Sequence, residues 1–436
     1  MTNHTNRNRM DWDSSLKNVK NQSFEHYDKL LLEAYRADEK EFSRKVAVEI
    51  WKRALENIGF ANQLKEHYDR IVYNMGFFPK NNDFKSIAII GYISGLIGEW
   101  DPESAKTGIP GSEEAIINMA RELVDLGWNV YVYANPPKKS IWSLPVSNPH
   151  YIPIGDICDD QHDVIILWRI QDFQFGLRHG KKVYFWPHDL PTVPFTDSLT
   201  KINGCIFLSE FQRNEYIKFE SKFKEIPYIV SGNGIQIEQF ENPLNRRINP
   251  YSCVYISNYA RGLEILLDIW PSIKKEFPKT QLGIYYGRET WGSANASRIA
   301  KIVDKIEKLK KRGVTEHGKV GHGKLAEVLL KSSILAYPCN TTAETYCISA
   351  VKAQAAGCIP IITRIGALRE TVHPDAPSVD SISTLEEIEE YKKLFIETLN
   401  KIKNSEDDLE ADRKKYIDFA SSKTWKNCTI QWHSFL

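Results

Sequence analysis

Three side chains stand where chemistry on a polar, anionic ligand would need them: Glu344, Arg261 and His188. Glu344 lies in residues 337–371, YPCNTTAETYCISAVKAQAAGCIPIITRIGALRET. The apolar run 334–337 predicts a buried strand that breaks at Pro338, a helix is predicted over 345–356, Gly357 suits the left-handed residue closing it, and CIPIIT reads as the next buried strand. Strand, loop, helix, strand is the crossover of a parallel sheet. The Glu344 carboxylate and the free N–H groups near Thr345, Tyr346 and Cys347 therefore share the crevice where open α/β sheets bind ligands. Arg261 opens another predicted helix, where a guanidinium and free N–H groups can jointly hold a diphosphate; it also reads as an ordinary surface arginine. His188 follows KKVYFW at a strand's carboxyl end, a ligand-facing place, although a lone histidine also reads as structural.

The elements that position these residues form two α/β series. The first opens with SIAIIGYI (86–93), and KTGIPGSEEAIINMARELVDLGWNVYVY then predicts a helix over 115–126, with Ser112 as N-cap, Glu113 and Glu114 in its first turn and Gly127 at its end. Gly108-Ile109-Pro110-Gly111 before that helix can bring N–H groups close to a phosphate or sugar, or can simply turn the chain; it is not GxGxxG. Further strands are predicted at 164–167, 182–186, 204–208 and 226–230, ending at the turn-rich Ser231-Gly232-Asn233-Gly234. Residues 241–250 have linker composition, and a second series begins at 253–256 and continues at 282–286. Residues 1–22 look disordered, and 24–73 have helical periodicity. A helical tail is predicted from 383 to about 412, and Trp425 and Trp432 share one face of a last helix expected to pack back across the domains.

Composition excludes several function classes. With 436 residues, 42% hydrophobic and 26% charged, the chain suits two core-bearing domains and an extra segment. A formal charge of +1 gives no global drive towards nucleic acid. Seven scattered cysteines without CxxC suit reduced thiols rather than a disulfide framework or zinc site. The polar N-terminus does not read as a secretory signal, and no apolar run reaches the ~18 residues of a transmembrane helix. Residues 318–324 satisfy GxxxxGK, but Leu325 stands where a P-loop needs Ser or Thr, and His317 and His322 fit no zinc spacing.

Taken together and in order, TGIPGSEEA, WPHD, LSEFQ, SGNGIQIEQF, YISNYARGL and AETYCISAVKAQAAGCIPI…GALRETV resemble the retaining family 4 glycosyltransferases of the GT-B fold, over roughly residues 86–436. The resemblance implies two Rossmann-like, doubly wound parallel-sheet domains facing a cleft, and sugar transfer with retention of configuration and no required metal or other cofactor. The division it suggests is a helical N-terminal extension (1–80), an acceptor-side domain (81–245), a nucleotide-sugar domain (246–415) and a helix crossing back (416–436). Glu344 matches the first glutamate of the family's E-x7-E motif, implying contact with donor sugar hydroxyls. His188 matches a histidine that touches the donor sugar, and Gly108 to Gly111 match the glycine loop near diphosphate and acceptor. Arg261 occupies one position of the family's basic pair; Ser257 and Asn258 lie near the other, so Arg288 is a candidate to complete the phosphate clamp. The second glutamate of the motif, two helical turns or about 12 Å on, usually bonds the ribose. Here that position is Lys352, leaving a phosphate contact or a surface lysine as its readings.

The expectation is thus a cytoplasmic hexosyltransferase of polysaccharide biosynthesis type. It would use a nucleoside diphosphate sugar, UDP- before GDP-, with a glycan, lipid-linked or small acceptor and peripheral contact at a membrane's inner face. A GT-B-shaped binding or scaffold protein that has lost catalysis is the alternative Lys352 suggests. A sugar-nucleotide epimerase or phosphorylase on the same fold is a third.

Overall fold

The computed structural model describes residues 85–91, 98–137, 148–154, 157, 161–245, 249–287, 296–341, 343–404 and 406–436, with Ser23, His26, Lys29, Leu30 and Glu33. The chain divides into two compact units, one of residues 1–82 and 142–146, the other of 83–141 and 147–436. Apart from those five positions, the predicted N-terminal helical extension lies outside the described residues, as does Arg288. The larger unit contains two sheets.

In the first sheet, β1 (Ser86–Ile90), β2 (Asn129–Ala134), β3 (His150–Pro153), β4 (His162–Trp168), β5 (Gly180–Trp186), β6 (Gly204–Phe207) and β7 (Tyr228–Val230) are all parallel, in the order β3-β2-β1-β4-β5-β6-β7. In the second, β8 (Asn249–Tyr255), β9 (Gln281–Ile284), β10 (Val314–Glu316), β11 (Ser332–Tyr337), β12 (Ile359–Thr363) and β13 (Ser378–Val379) are parallel in the order β10-β9-β8-β11-β12-β13. Their central strands are apolar runs, buried throughout in β2, β11 and β12, because helices cover both faces of such sheets. Strand order reverses between β1 and β4 in one sheet and between β8 and β11 in the other. At those switch points neighbouring connections leave the sheet on opposite faces, and a crevice opens at the strands' carboxyl ends. These are two doubly wound, Rossmann-like halves.

Six helices position the site: α1 (Gly111–Asp125), α2 (Glu210–Phe219), α3 (Leu263–Glu276), α4 (His322–Leu329), α5 (Ile348–Ala355) and α6 (Trp425–Phe435). The structure departs locally from the sequence reading. α1 starts at Gly111 with Pro110 as its N-cap residue, and Ser112 donates its hydroxyl to Glu113 instead of capping. β3 and the helix Phe173–His179 had no clear sequence signal. The expected linker 241–250 already contains the start of β8, at Asn249.

The two tryptophans of α6 are both buried; Trp432 meets Trp186 edge-on at 4.6 Å and donates to Ser231 Oγ at 2.9 Å. Trp128 donates to His433 across 3.1 Å, and Ile235 bridges Thr424, so the chain's last helix lies on the first sheet's domain.

Candidate functional site

Both switch points feed one cavity. β4 ends at Trp168 and delivers Arg169; β5 ends at Trp186 and delivers His188 and Asp189. From the other sheet β8 leads to Ser257 and Arg261, and β11 leads to Glu344 and α5. Between them lies a cavity of about 370 Å³, lined by groups from both domains.

On the second domain's side Glu344 is buried, 4% exposed, and its Oε2 accepts from Arg261 Nη1 and from the Tyr337 hydroxyl at 2.7 Å. The Ser257 hydroxyl in turn donates to Tyr337 Oη at 3.1 Å. Arg261 reaches this position because the next residue, Gly262, adopts φ +92° and presses on Pro338, whose carbonyl oxygen would lie 1.7 Å from any Cβ added there. Only glycine accepts both the left-handed backbone and that approach. The Arg261 guanidinium, a third exposed, and the N-terminus of α5 thus line the same wall.

On the first domain's side His188 is buried against Trp186 and Trp168, with ring centroids at 4.5 and 5.7 Å. Burial, then the nearby Arg169 charge, holds its pKa well below the ordinary imidazole value, so the ring is neutral. Its Nε2 has no hydrogen-bond partner, and neither has the buried Oδ1 of Asn233, which lines the same cavity. Buried polar atoms are normally satisfied, so both atoms are open to a hydrogen bond with a polar group or water in the cavity. Arg169, at φ +62°, clamps Asp189 through Nε at 2.6 Å and Nη2 at 2.7 Å, with Nη1 3.8 Å from Glu113. Glu113, 1% exposed, has its carboxyl pKa raised by burial. Sequence reasoning did not select Arg169, Asp189 or Asn233. The signal was present for Arg169, which follows an apolar strand in the way that the His188 loop does.

The predicted helix start at 345 moves to Ile348. The reason is tertiary: the Thr345 carbonyl accepts from Ser209 Oγ at 2.8 Å, and Thr345 Oγ1 donates to the His188 carbonyl at 2.8 Å. Those bonds hold residues 345–347 across the cleft rather than in the helix. Tyr346 is buried, its ring 2.7 Å from where a Gly232 Cβ would stand, and Cys347 occupies the N-cap position with its thiol pKa raised by burial. Gly357 ends α5 at φ +79°, as its sequence position predicts. A further bridge joins the domains: Glu370 accepts from the N–H groups of Glu210 and Phe211, at 2.8 and 2.7 Å, at the start of α2.

Lys352 is a finding of a different kind. It is not a surface lysine: it is 5% exposed, and its Nζ lies 2.7 Å from both carboxylate oxygens of Glu114, which is 3% exposed and belongs to α1 of the other domain. His322 Nδ1 is 3.3 Å from Glu114 Oε1, and His322 Nε2 is 3.1 Å from the Ile109 carbonyl. The glycine loop is pressed against the second domain here. A Cβ on Gly108 (φ +106°) would meet Val320 O at 2.6 Å, and one on Gly111 would meet Ile348 at 2.8 Å. Pro110 lies between them, lining the cavity. The GxxxxGK stretch therefore serves as this loop's docking partner, and α4 starts within it at His322. Behind the loop a smaller compartment of about 90 Å³ is lined by Glu114, Lys352, His322 and Tyr285.

Among the described residues no group of three or more His, Cys, Asp or Glu side chains is arranged to hold a metal ion, and no helix is long and apolar enough to cross a membrane.

Residues 250–399 match the family model described as Glycosyl transferases group 1. No curated protein matches the chain. Among solved structures it is similar to a glycosyltransferase from Rickettsia africae ESF-5, at 12% identity and TM-score 0.60, covering 81% of this chain and 97% of that one. It is also similar to Anabaena HepE in complex with UDP and glucose, at 12% identity and TM-score 0.59, covering 80% and 98%. A third is the sucrose-phosphate synthase of Thermosynechococcus elongatus, at 16% identity and TM-score 0.57, covering 80% and 98%. At these identities the likeness concerns the fold, two parallel sheets facing a cleft. The chain has the GT-B fold, and its residues 250–399 match the glycosyl transferases group 1 family model.

Proposed function

We propose that this protein transfers a hexose-type sugar from a nucleoside diphosphate sugar to a hydroxyl of a glycan, lipid-linked or small acceptor, with retention of anomeric configuration. The observation that carries the reading is the meeting, in one cavity, of anion-binding and hydroxyl-binding groups from opposite domains. Arg261 and the N–H groups opening α5 suit a diphosphate, while Glu344 and neutral His188 suit sugar hydroxyls. Thr345, Tyr346 and Cys347 shape that wall, and residues Gly108 to Gly111 cover the donor on the acceptor side.

In the reaction the anomeric C–O bond to the diphosphate breaks, and its electron pair leaves on the phosphate oxygen. The acceptor oxygen bonds the same face of the anomeric carbon, and its proton passes to that phosphate oxygen. Negative charge grows on the leaving group as the bond breaks, which is where Arg261 and the helix N-terminus lower the barrier. Glu344 and His188 hold the sugar in register for the attack. Arg288, outside the described residues, remains a candidate for the phosphate clamp. A UDP-sugar is the first donor to test because HepE, on the same fold, was solved with UDP and glucose. The reading places the enzyme in the cytoplasm, working on its acceptor there or at the inner face of a membrane. The domain division at about residue 245, with the donor side formed by 246–415, belongs to the same reading.

Incubation with UDP-, GDP- and ADP-sugars while following nucleoside diphosphate release tests it. Release that depends on acceptor, with the product's anomeric configuration matching the donor's, is expected. No release and no binding of UDP, GDP or ADP refutes it.

A further inference from the structure

We propose that Glu114, fixed by Lys352, is a nucleoside-binding carboxylate that receives the vicinal ribose hydroxyls of the donor in the inner compartment, and that it reaches them only when the two domains are closed. The inference rests on the donor reading above.

The inner compartment continues the main cavity, sharing Pro110, Gly111, Tyr286, Ile348 and Ser349 as lining. Its volume of about 90 Å³ has room for roughly six water-sized groups at ~15 Å³ each. A ligand whose diphosphate meets the N-terminus of α5 therefore extends its next part along that helix into the compartment, where Lys352 lies one turn inside the helix start.

The chemistry of the compartment then selects what enters. A carboxylate only accepts hydrogen bonds and offers about four lone-pair directions. Lys352 Nζ engages each oxygen of Glu114 once. His322 adds no donor in its neutral form: the Ile109 carbonyl can only accept, so Nε2 carries the ring proton and Nδ1 faces Glu114 with a lone pair. Burial keeps His322 on the neutral side, its pKa lowered, against the opposing pull of Glu114. Glu114 thus retains acceptor capacity for two donors on adjacent atoms, which is what a ribose cis-diol presents. Tyr285 and Tyr286 beside it offer ring surface to the rest of a nucleoside.

The two sides of the arrangement belong to different domains. Glu114 lies 238 residues before Lys352, on α1 with the glycine loop, whereas Lys352 and His322 belong to the second domain. Separating the domains would withdraw the carboxylate from the compartment, so recognition of ribose and closure of the cleft are one event. Lys352 acts as the positioning residue; Glu114 makes the contact.

Calorimetric titration of the full chain with UDP, GDP and ADP first finds the nucleotide that binds, and its 2′-deoxy and 3′-deoxy forms and pyrophosphate follow. For the unaltered protein each deoxy form is expected to bind about tenfold to a hundredfold more weakly, the range for hydrogen bonds to a charged group. In Glu114→Gln that discrimination should shrink to less than about threefold, with pyrophosphate affinity unchanged. Should Glu114→Gln fail to fold, the double variant Glu114→Gln/Lys352→Met removes both buried charges and carries the same expectation. Equal binding of ribo and deoxy forms by the unaltered protein, or discrimination that survives in either variant, overturns the assignment. Absence of any nucleoside diphosphate binding instead refutes the donor reading itself.

Discussion

Lys352→Glu restores, on paper, the carboxylate that the resemblance expects at that position, and the structure predicts that it damages the protein. The wild-type Nζ sits 2.7 Å from both oxygens of Glu114, with the two side chains only 6% and 3% exposed. Replacing the ammonium by a carboxylate removes the partner of a buried charge, which costs about 3–5 kcal/mol, and sets two carboxylates against each other in the same pocket. For a folded unit of this size the loss corresponds to a fall in Tm of about 4–7 °C. Where the domains part instead, solvating both groups, the same free energy appears as opening, read as a larger radius of gyration in small-angle scattering. The loss should shrink as pH falls through the carboxylate range, since protonating one of the pair removes the repulsion. Glu114→Lys/Lys352→Glu restores opposite charges and should recover at least half of the single variant's loss, a coupling that a double-mutant cycle measures. A Lys352→Glu protein with unchanged Tm and radius of gyration would refute the buried cross-domain pair.

Other perturbations have equally definite outcomes. Glu344→Ala should abolish transfer, because it removes a buried acceptor lining the cavity; turnover at the wild-type rate sinks the role assigned to it. Gly262→Ala places a Cβ against the Pro338 carbonyl at a φ of +92°, so donor binding should weaken at least tenfold as Arg261 is displaced, measured by nucleotide titration. His188 and His322 both have pKa values lowered by burial, so the unfolded chain binds protons more readily than the folded one near and below the ordinary value of about 6.5. Stability should therefore be fully present above that pH and fall as the solution is acidified; His188→Phe should flatten the Tm profile between about pH 5 and 7, and a profile that stays as steep would refute the neutral, desolvated ring.

Local pattern and tertiary partnership contributed differently. The buried strands, their spacing by helices, the closing role of Gly357 and the loop carrying Glu344 were legible in sequence, because apolar periodicity and glycine's access to positive φ act within a few residues. That legibility extended to strand ends, where Arg261 emerges beside a switch point and His188 one strand away from the other. It failed where a residue's state depends on distant chain. α5 starts at Ile348 because Ser209 takes the Thr345 carbonyl from 136 residues away. Glu113 and Glu114 read as first-turn acids suited to a helix dipole, yet both are buried, one near Arg169 and the other on Lys352.

The sequence by itself determined two α/β series of parallel strands and placed Glu344, Arg261 and His188 in the loops that follow those strands. Only the tertiary structure decided which charges meet: Arg261 with Glu344, Arg169 with Asp189, and Lys352 with Glu114 from the opposite domain. The physical reason is that burial follows from local pattern, whereas a buried charge is tolerated only by a particular partner, and that partner is brought by the fold.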